Sequence, residues 1–206
     1  DDGRKAGHFL EFVEGGDDFL DVLGQQEVLR PAFEVLTVGI DEQHLALAFL
    51  GLAADALRAV LEARGVVMVG AFVPVRFADE SAHAAGAEAA MRVARLLAGA
   101  AAPDHAPMVI LADDNGSVPA RTANAGRVTP ALGLDDAGWA VFCRGVEAVS
   151  RAVRDATRLP VGFHHHCAGY VETPGEIAAL LRGTSPELLG LVFDTGHYAF
   201  GAGDRD

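Results

Sequence analysis

The chain has 206 residues, enough for one domain with a real core, and half of them are hydrophobic, which excludes general disorder. Its formal net charge of −13 argues against nucleic-acid backbones and anionic membranes, both of which need clustered Lys and Arg. A neutral polyol or a metal cation is the easier partner, and with only two cysteines and no long apolar run the cytoplasm is the expected location.

In chain order, residues 9–13 and 34–40 read as two weak strands, and 41–52 carry little punctuation. Leu57, Val60 and Leu61 then give a helical stripe, with Gly65 as its stop. Residues 66–73 form a continuous apolar run closed by Pro74, as expected of a strand buried on both faces. The next helix carries Ala87, Ala90, Met91, Ala94 and Leu97 on one side and the Glu88/Arg92 pair on the other. Residues 107–112 predict another buried strand, ending in Asp113-Asp114-Asn115.

A long loop rich in Gly, Pro, Thr and Asn covers 113–134, and loops of that length are usually functional or mobile. Asp135 or Asp136 caps a helix whose inward stripe is Trp139, Phe142, Val146, Val149 and Val153; Cys143 lies on that stripe as a small buried hydrophobe. Residues 159–163 predict the strand that delivers His164-His165-His166-Cys167. Thr173-Pro174-Gly175-Glu176 is a capping box with Pro at the first helical position, and Ile177, Leu180 and Leu181 supply that helix's apolar face. Residues 190–193 form a last strand, followed by Asp194-Thr195-Gly196-His197.

Strands separated by helices imply an α/β fold with a parallel sheet, and the whole of 1–206 reads as a single domain. About six strands are countable where a closed barrel has eight in about 250 residues, so the expectation is a parallel (β/α) barrel of TIM type, truncated after about six strands, with atypical first 50 residues. In such a fold the strand ends share one mouth, and the imidazoles and carboxylates meet there. Alternation on a strand sends His164 and His166 one way, as a two-nitrogen metal clamp, and His165 the other. Their bland alternative is hydrogen bonding within a polar mouth. Asp194 follows an apolar strand, so it needs a cation or, more simply, caps the following turn. Glu172 and Asp113-Asp114-Asn115 have solvated-turn alternatives, and Cys167 either lines the site or is buried.

With these residues in hand, the chain resembles the xylose-isomerase-like barrel superfamily, and within it the inosose dehydratases. The resemblance rests on the triple histidine, on Tyr170-Val171-Glu172-Thr173-Pro174 with Glu176, and on Leu191-Val192-Phe193-Asp194-Thr195-Gly196-His197 with Gly201 and Gly203-Asp204. Ala71-Phe72-Val73-Pro74 and Leu111-Ala112-Asp113 look like further strand ends, and the likeness covers roughly residues 53–206 with a weak echo at 10–16. The resemblance implies one divalent metal, Mn or Co, and a small polyol or keto-sugar substrate such as 2-keto-myo-inositol, dehydrated at the carbon beside its ketone. It implies Asp194 as a metal ligand with His164 or Glu172 as another, His166 or Glu172 as the base, His197 as the acid, and Asp113, Asn115 and His165 as substrate contacts. The family's remaining ligands come from later strands, which are not found here, and residues 24–51 lack the family's usual second-strand ending. An isomerase or epimerase working through an enediolate is the rival enzyme. An inactive fragment that binds metal weakly or forms a homo-oligomer is the non-enzyme rival.

Overall fold

The computed structural model describes residues 35–38 and 54–201. The expected strand at 9–13, the segment 41–52 and the Gly203-Asp204 pair lie outside the described residues. Five strands form one sheet: β1 (Val35–Val38), β2 (Val67–Val75), β3 (Met108–Asp113), β4 (Val161–His164) and β5 (Gly190–Val192). They lie side by side in chain order, and every neighbouring pair is parallel. A doubly wound sheet reverses its order at a switch point; an unbroken sequential order is that of a (β/α) barrel wall.

The connecting helices are α1 (Ala54–Arg64), α2 (His83–Ala100), α4 (Asp136–Thr157) and α5 (Pro174–Gly183), with the short α3 (Pro119–Thr122) between β3 and α4 and α6 (Thr195–Gly201) after β5. Consecutive helices pack against each other, α1 on α2, α2 on α4 and α4 on α5, so they form one layer outside the sheet. The core lies between that layer and the strands. Phe77, Phe142 and Phe163 are fully buried there, their rings 5.4 to 6.0 Å apart in tilted pairs. Burying each such ring contributes on the order of 2–3 kcal/mol.

The local signals explain where the elements begin and end. Gly65 adopts φ +65°, the left-handed turn that stops α1. Asp135 accepts a hydrogen bond from the Gly138 N–H and caps α4. Thr173 and Glu176 form the reciprocal capping box of α5. Two readings differ. Pro74 does not close β2, which runs on to Val75; β1 pairs with it only as far as Ala71, so beyond that point one edge of β2 has no described partner to need an N–H. The 113–134 segment is also structured rather than a plain loop. It contains α3 and a tight turn at Pro130–Leu132, and is anchored by Arg121, whose side chain is wholly buried.

Candidate metal and acid–base site

Parallel strands bring the ends of β3, β4 and β5 to one rim, with Asp113, His164 and Asp194 at or just beyond those ends. The alternation of the β4 strand continues past its last residue. One ring nitrogen from each of His164, His166 and His197 lies within 4.8 Å of the others. The His166 and His197 rings are 4.0 Å apart by centroid, and His164 and His197 are 5.1 Å apart. His165 turns the other way. It is fully buried against Phe193 and Tyr198, and its Nε2 accepts the backbone N–H of Asp194 at 3.1 Å.

Hydrogen bonding and burial set the state of the imidazoles. His166 Nδ1 lies 2.9 Å from the Cys167 carbonyl, which can only accept, so Nδ1 donates and in the neutral ring the lone pair falls on Nε2. A ligating histidine characteristically donates its other N–H to such an oxygen. Burial, and then the neighbouring His197 and His166, push His164 down to about 4, so it is neutral at physiological pH. Burial likewise pushes His165 down. Three imidazole nitrogens this close are donors of the kind that suit a divalent transition ion, and a carboxylate lies alongside them.

That carboxylate is Asp194. Its Oδ1 accepts the His197 N–H at 2.8 Å, capping the first turn of α6, and its Oδ2 faces His197 Nδ1 at 3.6 Å. Burial pushes its carboxyl up, but the His197 N–H and the nearby imidazoles outweigh this and hold it below the usual range. The turn cap and the charged partner are therefore one residue. Burial, followed by Glu172 and Asp194, pushes the Cys167 thiol up to about 11, which keeps it protonated.

Glu172 stands apart from the imidazole trio. Its carboxylate is fully buried, with Oε1 accepting the Gly126 N–H at 2.6 Å and Oε2 the Ala168 N–H at 2.7 Å. Asp113 is also buried; its Oδ2 accepts the Tyr170 N–H at 2.8 Å, and burial pushes its carboxyl up to about 6. Asn115 lies beside it across Gly169, where an added Cβ would meet Asn115 Oδ1 at 2.4 Å and Asp113 Oδ2 at 3.1 Å. Asn115 Oδ1 is buried without a hydrogen-bond partner among the described residues.

Sequence reasoning missed Arg121. Its guanidinium makes two hydrogen bonds to Glu176, at 2.7 and 3.0 Å, one to the Leu132 carbonyl, and stacks over Tyr170. Glu176 in turn accepts the N–H groups of Glu172 and Thr173. The 113–134 segment is thus tied to the start of α5. The partners are 55 residues apart, and nothing near Arg121 in sequence marks it as buried.

No family model matches the chain. A 71-residue stretch is 36% identical to the inosose dehydratase of Salmonella typhimurium, covering 34% of this chain and 23% of that protein. A 101-residue stretch is 30% identical to the inosose dehydratase of Lactiplantibacillus plantarum, covering 48% and 33% respectively. A 62-residue stretch is 48% identical to that of Bacillus cereus strain AH820, covering 30% and 20%. The matched stretches therefore span a third or less of these relatives. Among solved structures, a xylose isomerase-like TIM barrel protein from Mycobacterium smegmatis, in complex with magnesium, superposes with a TM-score of 0.50 at 14% identity, over 72% of this chain and 48% of that one. At that identity the likeness establishes the fold. The resemblance to the xylose-isomerase-like superfamily, and within it to the inosose dehydratases, is borne out.

Proposed function

We propose that this chain carries the β4–β5 side of the active site of a metal-dependent dehydratase acting on a keto-cyclitol such as 2-keto-myo-inositol. The observation that carries the reading is the convergence of His164, His166 and His197 beside Asp194 at the rim of a barrel wall. The matched relatives are inosose dehydratases, which favours dehydration over isomerisation or epimerisation.

His164 and His166 would hold the ion, the second oriented by the Cys167 carbonyl. Mn or Co fits the mixed nitrogen and carboxylate surroundings. Such an ion, when bound, acts as a Lewis acid that polarises the substrate ketone and acidifies the neighbouring C–H. His197, with Nδ1 turned to the Asp194 carboxylate, takes that proton on its other nitrogen and returns it to the departing β-hydroxyl. The C–H and C–O bonds break, a C=C bond forms, and water leaves. Asp194 balances the imidazolium that exists between the two transfers. Asp113 and Asn115 would hold substrate hydroxyls at the β3 rim, Asn115 through its unpartnered Oδ1. This casts His166 as an ion holder rather than a proton carrier, and Asp194 as the partner of His197.

Two measurements test the reading. Calorimetry with Mn²⁺ and Co²⁺ should show one site in the chain, lost in His166→Ala; no binding at any concentration would overturn it. Incubation with 2-keto-myo-inositol should give a product lighter by one water, and His197→Ala should prevent this while retaining the ion. A product of unchanged mass would support the isomerase or epimerase instead.

A further inference from the structure

We infer that Glu172 is a positioning residue for His166, acting through the turn at Cys167 and Ala168, and that it holds no metal itself. The inference rests on the reading of His166 as an ion holder. Ala168 has φ +70°, a left-handed conformation that a residue with a Cβ adopts only when its surroundings hold it there. Glu172 Oε2 supplies that hold by accepting the Ala168 N–H at 2.7 Å. The turn so fixed presents the Cys167 carbonyl to His166 Nδ1 at 2.9 Å, which sets both the tautomer and the direction of Nε2.

Glu172 is suited to the task because it is itself fixed from three sides. Its Oε1 accepts the Gly126 N–H from the strap between β3 and α4. Its own N–H donates to Glu176, the partner of the buried Arg121. Gly201 of α6 lies so close that an added Cβ would meet the Glu172 carbonyl oxygen at 2.4 Å. Glu172 is also outside the imidazole cluster, which among the described residues holds three histidines and no carboxylate.

The test compares Glu172→Gln with the double variant Glu172→Gln/Ala168→Gly. A Gln keeps one acceptor oxygen but turns an amide N–H₂ toward one of the two backbone donors. Glycine at 168 adopts positive φ at no steric cost, so it removes the need for the tether. Nitrogen NMR of the metal-free proteins reads the His166 tautomer directly. The wild type should show the Nδ1–H form, Glu172→Gln a mixture, and the double variant a return toward Nδ1–H. An unchanged tautomer in Glu172→Gln, or no return in the double variant, overturns the inference.

Cobalt binding gives the second readout. Glu172→Gln should weaken Co²⁺ about tenfold, as loss of an orienting group does, with the visible spectrum of the bound ion unaltered, and Ala168→Gly should recover part of the loss. A changed spectrum with no recovery would make Glu172 a ligand and overturn the positioning role. Failure of the wild type to take up cobalt would sink the metal reading above, while the tautomer measurement would still decide the role of Glu172.

Discussion

At the scale of single residues, burial decides what each polar group can do. His165 has no solvent exposure, and its Nε2 is the acceptor for the Asp194 N–H. His165→Leu should therefore cost about 1–3 kcal/mol by leaving that N–H unsatisfied, whereas His165→Gln, which retains an acceptor, should cost less. Urea midpoints of the two variants check the order. Asp113 makes a prediction about pH. Its folded pKa of about 6 stands above the unfolded carboxylate value of 3.8, so between these limits the folded state binds more protons. Its contribution to stability is full below about pH 4 and is lost as pH rises through about 6. The shift corresponds to roughly 3 kcal/mol at most, since burial dominates and hydrogen bonds from Tyr170, Asp114 and Phe77 already offset part of it. Asp113→Asn should remove this decline, giving a variant that gains on the wild type between pH 4 and 7 in urea titrations. Parallel pH profiles for the two proteins would contradict the assignment.

At the scale of elements, the start of α5 does two separable jobs. The capping box satisfies orphan N–H groups, and Thr173→Ala should cost about 1 kcal/mol. Glu176 closes that box and also neutralises Arg121, whose side chain is wholly buried. Glu176→Ala should therefore cost on the order of 3–5 kcal/mol, because it strands a buried guanidinium as well as uncapping the helix. Thermal or urea unfolding of the two variants should show this gap; equal costs would mean that the ion pair stabilises little. Protease cleavage within 114–135 should rise in Glu176→Ala and not in Thr173→Ala, since only the former releases the strap.

At the scale of the whole molecule, the sheet edge and the charge oppose each other. Among the described residues β5 pairs only with β4, and Phe193, Tyr198 and Phe200 around it are 52%, 36% and 40% exposed. A strand edge left uncovered among the described residues, beside exposed aromatic rings, favours pairing with a second copy, while a net charge of −13 repels one. Association should therefore grow with protein concentration and also with salt, which screens the repulsion. Light scattering across both variables measures this; a monomer under every condition would show that the edge is protected. Hydrogen exchange should be slow along β2 from Val67 to Ala71, where it has neighbours on both sides, and fast along β5.

The sequence by itself determined what depends on near neighbours. The stop at Gly65, the caps at Asp135 and Thr173, the α4 stripe through Phe142, Val146, Val149 and Val153, and the five described strands, β1 only as a weak one, follow from periodicity and end chemistry that act within a few residues. The opposite directions of His165 and its two neighbours also follow, because backbone alternation is local. Only the tertiary structure decided which groups hold one another. Arg121 meets Glu176 across 55 residues, Glu172 meets Gly126 across 46, and His165 meets Asp194 across 29. Such pairs leave no period or spacing in the chain, since their separation is set by the helices and strands that intervene. For the same reason a lone Arg in a loop and a Glu before a helix read as solvated until the fold closes water out around them.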